Sequence, residues 1–207
     1  ININTEDYNI TKNKLKPKKC YLLNGVGLDL GKYKKLNNEE ILEKKKELGL
    51  NDNDFIVLMI AELNKNKNHI QVINAIGSLK KSYSNIKLIC IGDGNMMQSL
   101  KKEIISKDLQ NNIFMLGYRE DVNELINISD IGILMSYREG LPRNIMEFMA
   151  CGRKVIATNI RGCRDLIWNE NVGILVKVGD FDTTAKAIEK YYLLKDKTYD
   201  PSKKYYL

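Results

Sequence analysis

Two glutamates bracket the stretch of this sequence best suited to chemistry: Ser136-Tyr137-Arg138-Glu139-Gly140-Leu141-Pro142-Arg143-Asn144-Ile145-Met146-Glu147. It follows an apolar run, Ile131–Met135, that reads as a strand. Pro142 suits the first position of a helix. Gly140, just before it, lets backbone come close to a ligand. A helix that begins at a strand's carboxyl end leaves unpaired N–H groups pointing outward and so forms an anion site. Glu139 lies in the loop beside that site. Glu147 lies five residues into the helix, about 7.5 Å along its axis at 1.5 Å per residue. A phosphate at the N–H groups with a sugar hydroxyl at each carboxylate would describe a nucleotide sugar. A first-turn Glu and a solvated helical Glu account for the same residues equally well from these cues alone.

Three other loops follow apolar runs. Asn64-Lys65-Asn66-Lys67-Asn68 has the composition of a phosphate-facing loop, and equally that of a solvated turn. Gly92-Asp93-Gly94 reads as a tight strand-to-helix turn, not as the GxGxxG of a dinucleotide site, and no Walker A loop is present. In Gly117-Tyr118-Arg119-Glu120-Asp121-Val122, Tyr118 and Arg119 could stack on a base, while Asp121 is expected to cap the next helix.

The elements that must carry these loops are legible. Short apolar, β-branched runs alternate with longer amphipathic stretches. Strands are expected at Cys20–Leu23, Phe55–Ile60, Ile86–Ile91, Ile113–Leu116, Ile131–Met135, Val155–Thr158 and Gly173–Val176. Helices are expected at about 38–48, 68–82, 96–107, 121–128, 142–151, 162–168 and 181–194. Several strands are apolar at nearly every position, as when helices cover both faces. Repeated βα units give right-handed crossovers, hence an α/β fold with a doubly wound, parallel, Rossmann-like sheet. Ligands bind such sheets at the strands' carboxyl ends, where the order reverses.

Composition narrows the classes further. At 43% apolar and 29% charged, the 207 residues are ordinary for a globular protein, which excludes collagen-like, coiled-coil and wholly disordered chains. No apolar run approaches the roughly 20 residues of a membrane span. The net charge of +7 would suit an acidic partner, yet only six of the 33 basic side chains are Arg and the Lys are spread throughout, unlike a nucleic-acid reader. All six Arg fall between Arg119 and Arg164, which is more informative than the charge. Cys20, Cys90, Cys151 and Cys163 lack metal-ligand spacing and read as thiols of a reducing compartment. His69 alone supports neither a zinc site nor a Ser-His-Asp triad. The polar start, Ile1 to Asp7, is no signal peptide and reads as a chain cut from something longer. Residues 1–18 taken alone suggest a disordered arm. The Tyr-rich end, with Tyr199, Tyr205 and Tyr206, suggests docking.

Taken in order, these loops resemble the C-terminal, donor-binding half of the family 4 (group 1) glycosyltransferases of the GT-B class, in which two Rossmann-like domains face a cleft. Asn24-Gly25-Val26-Gly27-Leu28-Asp29 is similar to that family's Asn-Gly-hydrophobic-x-x-Asp loop. Ala61 to Asn68 resembles its phosphate loop, and Glu139 to Glu147 its two-glutamate signature. Ala150-Cys151-Gly152, Val155 to Thr158 and Gly162 continue the match, in wording closest to enzymes of capsule and exopolysaccharide assembly.

The resemblance implies retaining, metal-independent transfer of a sugar from a nucleoside diphosphate, UDP above all, to a glycan or lipid-linked saccharide. It implies no cofactor. Glu139 would act at the reacting sugar. The amides around Gly140, Leu141 and Pro142 would hold the diphosphate, Lys67 would neutralise it, Glu147 would bind the ribose, and Tyr118 and Arg119 would border the base. Residues 1–18 would be a remnant of the acceptor domain and linker, 19–194 the donor-binding domain, and 195–207 a tail crossing back to an N-terminal acceptor domain that is missing. The whole enzyme would be cytoplasmic, working at the inner face of the membrane, and this half would bind donor without turnover. One departure stands out: Glu62 replaces the Arg that many relatives turn toward the phosphates, so either Arg143 or another of the clustered Arg compensates, or Glu62 points elsewhere, or donor affinity is weak. Two other readings compete, a stand-alone nucleotide-sugar module acting with a separate acceptor-binding chain and a basic protein that binds nucleic acid.

Overall fold

A computed structural model describes residues 1–23 and 27–195. The order along the chain is α1 (Thr5–Ile10), continued by a π-helical turn at Thr11–Leu15, then α2 (Asn38–Glu47), β1 (Phe55–Ile60), a 3₁₀ turn at Lys65–Lys67 and α3 (His69–Leu79). There follow β2 (Ile86–Ile91), α4 (Met97–Ser106), β3 (Ile113–Gly117), α5 (Val122–Ile128), β4 (Ile131–Leu134), α6 (Arg143–Ala150), β5 (Lys154–Thr158), α7 (Cys163–Leu166), β6 (Gly173–Val176) and α8 (Phe181–Lys195). All strands are parallel, in the order β3-β2-β1-β4-β5-β6. This is the doubly wound Rossmann order, with its reversal between β1 and β4.

Alternation along β1 explains the two layers. Phe55, Val57 and Met59 face one core, shared with Val72 and Ile76 of α3 and Ile188 of α8. Ile56 and Leu58 face the other, built on Leu125 and Ile126 of α5 and Ile145 and Phe148 of α6. β1 matches β2 along its whole length, from Phe55↔Ile86 to Ile60↔Ile91. It meets β4 only at Val57↔Ile131 and Leu58↔Gly132.

Several expectations change. Cys20–Leu23 is not a strand of the sheet: Leu22 bridges only Asn2, with Tyr21 and Leu23 exposed. This apolar run pairs with Asn2 near the N-terminus instead of adding to the sheet. Residues 1–18 are not a disordered arm: they carry α1, although residues 12–18 are exposed. Asn4 is buried and caps α1 by accepting from the Asp7 N–H at 2.8 Å. The helix expected at 162–168 is the single turn α7. The Asn24-to-Asp29 loop is described from Gly27 onward, and the docking expected of the tail concerns residues that, beyond Lys195, lie outside the described ones. Among the described residues no helix is long and apolar enough to cross a membrane.

His69 opens α3 buried, with neither ring nitrogen hydrogen-bonded among the described residues. Burial, and then the Lys67 charge, push its pKa down to about 4 from 6.5. The unfolded chain therefore takes up this proton at a higher pH than the folded one. Stability from this site is intact above about pH 6.5 and falls as pH drops toward 4, by at most about 3 kcal/mol. Urea unfolding at pH 7 and pH 4.5 is expected to show a smaller pH dependence in His69→Leu than in the parent; equal slopes would contradict it.

Candidate functional site

Two loops rise side by side at the carboxyl ends of β1 and β4, where the strand order reverses. In the first, the Asn64 side chain accepts from the Lys67 N–H at 3.1 Å and closes the 3₁₀ turn. Asn68 then takes a left-handed conformation, φ 50°, and turns the chain into α3. Asn tolerates this region better than most residues. The second loop is stitched to the first. The Tyr137 N–H donates to the Asn66 carbonyl at 2.8 Å, and Asn66 Nδ2 donates to the Arg138 carbonyl at 3.0 Å. These ties bring Lys67 Nζ to Glu139 Oε1 at 2.5 Å. The buried Ser136 hydroxyl donates to the same oxygen at 2.6 Å, and its carbonyl is held by the Thr158 hydroxyl. A cation and an acid thus share one half-buried position.

α6 starts beside them. Pro142 is the N-cap in extended backbone, one residue before the first helical position expected of it. No side chain caps the helix, and Asn144 instead anchors it by donating to the Ile60 carbonyl of β1 at 2.8 Å. Pro142 has no N–H, so the donors here are its neighbours' amides. Further along, Glu147 is buried, accepting on Oε1 from the Tyr33 hydroxyl at 2.8 Å, with Arg143 Nε at 3.4 Å. The structure therefore gathers Lys67, Glu139, Gly140, Leu141, Pro142 and Glu147 around one helix N-terminus.

Tyr118 and Arg119 sit apart at the end of edge strand β3. Tyr118 is exposed. Arg119 is not free: it donates to both oxygens of Asp121 at 2.8 and 2.6 Å and reaches Glu47 at 3.5 Å. Lys44 also holds Asp121, at 2.6 Å. The Asp121 side chain makes no cap hydrogen bond, because these two cations claim it. Arg119, aided by Lys44, holds its carboxyl far below the usual carboxylate range.

Gly92-Asp93-Gly94 is the tight turn expected. Leu63 N–H donates to the Asp93 carbonyl at 2.8 Å, and a Cβ at Gly94 would lie 2.4 Å from the Leu63 carbonyl. Glu62 is exposed and, among the described residues, has no side-chain partner; Arg143 pairs with Glu147.

Two of the six clustered Arg hold the N-terminal helix. Arg161 pairs with Asp7 at 2.6 Å and Arg164 with Glu6 at 2.5 Å, which pins α1 over α7. Asn4 Nδ2 then donates to the Gly140 carbonyl at 3.0 Å. A Cβ at Gly162 would lie 2.1 Å from that same carbonyl. Ser136, Asn66 and Asn144 stood in the loops that the sequence singled out but had no role of their own there; Tyr33 carried no signal.

Comparison with known proteins gives the family and the fold. The family model described as glycosyl transferases group 1 matches residues 40–205. The EpsD protein of Bacillus subtilis is 32% identical over 193 residues, covering 93% of this chain and 51% of EpsD. The UDP-Gal:alpha-D-GlcNAc-diphosphoundecaprenol alpha-1,3-galactosyltransferase of Escherichia coli is 31% identical over 165 residues, 78% of this chain and 42% of that one. The crystal structure of Anabaena Alr3699/HepE in complex with UDP and glucose superimposes with a TM-score of 0.76 at 25% identity, covering 83% of this chain and 47% of its own. The chain spans about half the length of the curated relatives it matches.

Proposed function

The chain belongs to the group 1 glycosyl transferases, and from that premise we propose that its site binds the nucleoside diphosphate of a UDP-sugar and serves retaining, metal-independent transfer to a glycan or lipid-linked acceptor in polysaccharide assembly. One observation carries the reading: the loops after β1 and β4 meet at the sheet's reversal and set Lys67 and Glu139 against the uncapped start of α6. The diphosphate lies on the amides around Gly140 and Leu141, shaped by Pro142, with Lys67 swung onto it. Glu147 takes the ribose and Tyr118 lies beside the base. Arg119, fully engaged by acids, shapes the edge of the base site. Charge that develops on the departing diphosphate is met by Lys67 and the helix N-terminus. As Lys67 leaves Glu139 for the phosphates, that carboxylate is released toward the donor sugar. Support for the UDP donor comes from the UDP held by HepE and the UDP-Gal named for the Escherichia coli relative. The alpha linkage in that name supports retention, because UDP-galactose is itself an alpha glycoside.

Residues 19–194 form the donor unit in this reading. Residues 1–18 belong with the acceptor domain and linker. The 207 residues therefore bind donor and transfer no sugar unaided, and the whole enzyme works on the cytoplasmic side of a membrane. Calorimetry with UDP, GDP, ADP and their sugars tests the proposal. Saturable heat with UDP is expected, and no heat from any of the six ligands would remove the donor-site reading.

A further inference from the structure

Tyr33 reaches the site from a segment that no functional motif marks. It is buried, and its ring packs in the core beside α5 and α6. Two buried asparagines one helical turn apart on α5 hold the adjoining backbone. Asn123 Oδ1 accepts from the Lys34 N–H at 3.1 Å. Asn127 Oδ1 accepts from the Leu36 N–H at 3.0 Å, and its Nδ2 donates to the Lys34 carbonyl at 2.9 Å. The phenol is thereby fixed before any ligand arrives. It donates to Glu147 Oε1 at 2.8 Å, and Arg143 approaches that same oxygen. Among the described residues, Glu147 Oε2 has no partner.

We infer that Tyr33 is a positioning residue: by occupying Glu147 Oε1 it aims Oε2 at the nucleotide as an acceptor, and so makes the site select a ribose that offers a hydroxyl there. A carboxylate only accepts hydrogen bonds, so the phenol is the donor and the remaining oxygen demands a donor from the ligand. Burial and the Glu147 carboxylate push the Tyr33 pKa up to about 12, which keeps its proton in place over the whole working range. A nucleotide lacking the hydroxyl leaves a buried charged acceptor unpaired, the kind of mismatch that sites reject most strongly. The inference rests on the proposed placement of ribose at Glu147, and it adds the group that orients that carboxylate.

The experiment compares UDP with 2′-deoxy-UDP and 3′-deoxy-UDP by calorimetry on the 207-residue chain, its Tyr33→Phe variant and its Glu147→Gln variant. The parent is expected to bind at least one deoxy analogue roughly 10- to 100-fold more weakly than UDP. Tyr33→Phe keeps the buried ring. It is expected to weaken UDP about tenfold while leaving that analogue nearly unchanged, so the preference collapses. A purely structural role would weaken all three ligands together and preserve the ratio, which overturns the inference. If Glu147→Gln erases the preference and Tyr33→Phe keeps it, the ribose reading stands and the role of Tyr33 falls. If the parent shows no preference, or binds no UDP, both fall.

Discussion

Alanine at position 162 is expected to cost about 4 kcal/mol of stability, roughly 10 °C in Tm for a domain of this size, and to weaken UDP binding at least about tenfold. Gly162 has φ 77° and ψ −46°, close to the γ-turn region that L-residues rarely occupy. Its added methyl would also sit 2.1 Å from the Gly140 carbonyl and 3.3 Å from the Leu141 Cα. Neither contact is with a flexible side-chain end, so backbone must move. The backbone available to move is the loop proposed to hold the diphosphate, which Asn4 also grips through the Gly140 carbonyl. Stability and affinity should therefore fall together. Thermal unfolding with and without UDP reads both, and an unchanged Tm in Gly162→Ala would contradict the account.

Lys67→Ala is expected to weaken UDP binding by about 30- to 100-fold, the loss of one charge-assisted contact to phosphate. Lys65→Ala, two residues away in the same exposed turn, is the matched control and should change affinity less than about threefold, as a solvated charge near the site does. The contrast arises from geometry: Lys67, unlike Lys65, is drawn in by Glu139 and lies at the start of α6. Glu139 already pairs with this lysine, so a diphosphate must displace a carboxylate from it. Titration calorimetry of both variants checks the prediction. Equal losses from Lys65 and Lys67 would reduce the site to diffuse positive charge.

Much of this was legible in the residues themselves. β1, β2 and β6 begin and end where their apolar runs do, and β3, β4 and β5 differ by one residue at one end. Strands covered on both faces must be apolar throughout, so their limits are written in composition. The loops carrying Lys67 and Glu139 were legible because they follow such strands. What escaped was pairing across distance. Tyr33 and Glu147 are 114 residues apart, and no periodicity joins them. Asp121 looked like a helix cap because local spacing favours one; the structure gives it to Arg119 and to Lys44, from a helix more than seventy residues earlier. Cys20–Leu23 has the apolarity of a strand, but its partner is Asn2, which no apolar pattern marks. The charges of residues 1–18 suggested disorder until Arg161 and Arg164 supplied partners for Asp7 and Glu6.

The short seam between β1 and β4 has a consequence for how the domain opens. β3-β2-β1 and β4-β5-β6 are each built from strands consecutive in the chain, so each can gather on its own side. Two register pairs join the halves within the sheet, with the ties of Asn66, Lys67 and Asn144 above them, and α8 crosses back onto α3, where Gln71 donates to the Thr184 hydroxyl at 2.9 Å. Parting the halves would therefore also peel α8 from α3 and open the core they share. A nucleotide gripped by both loops would act as a clasp across the seam. Its binding energy would then count against separation of the halves as well as against complete unfolding, and the amides along the seam would gain the most protection from hydrogen exchange.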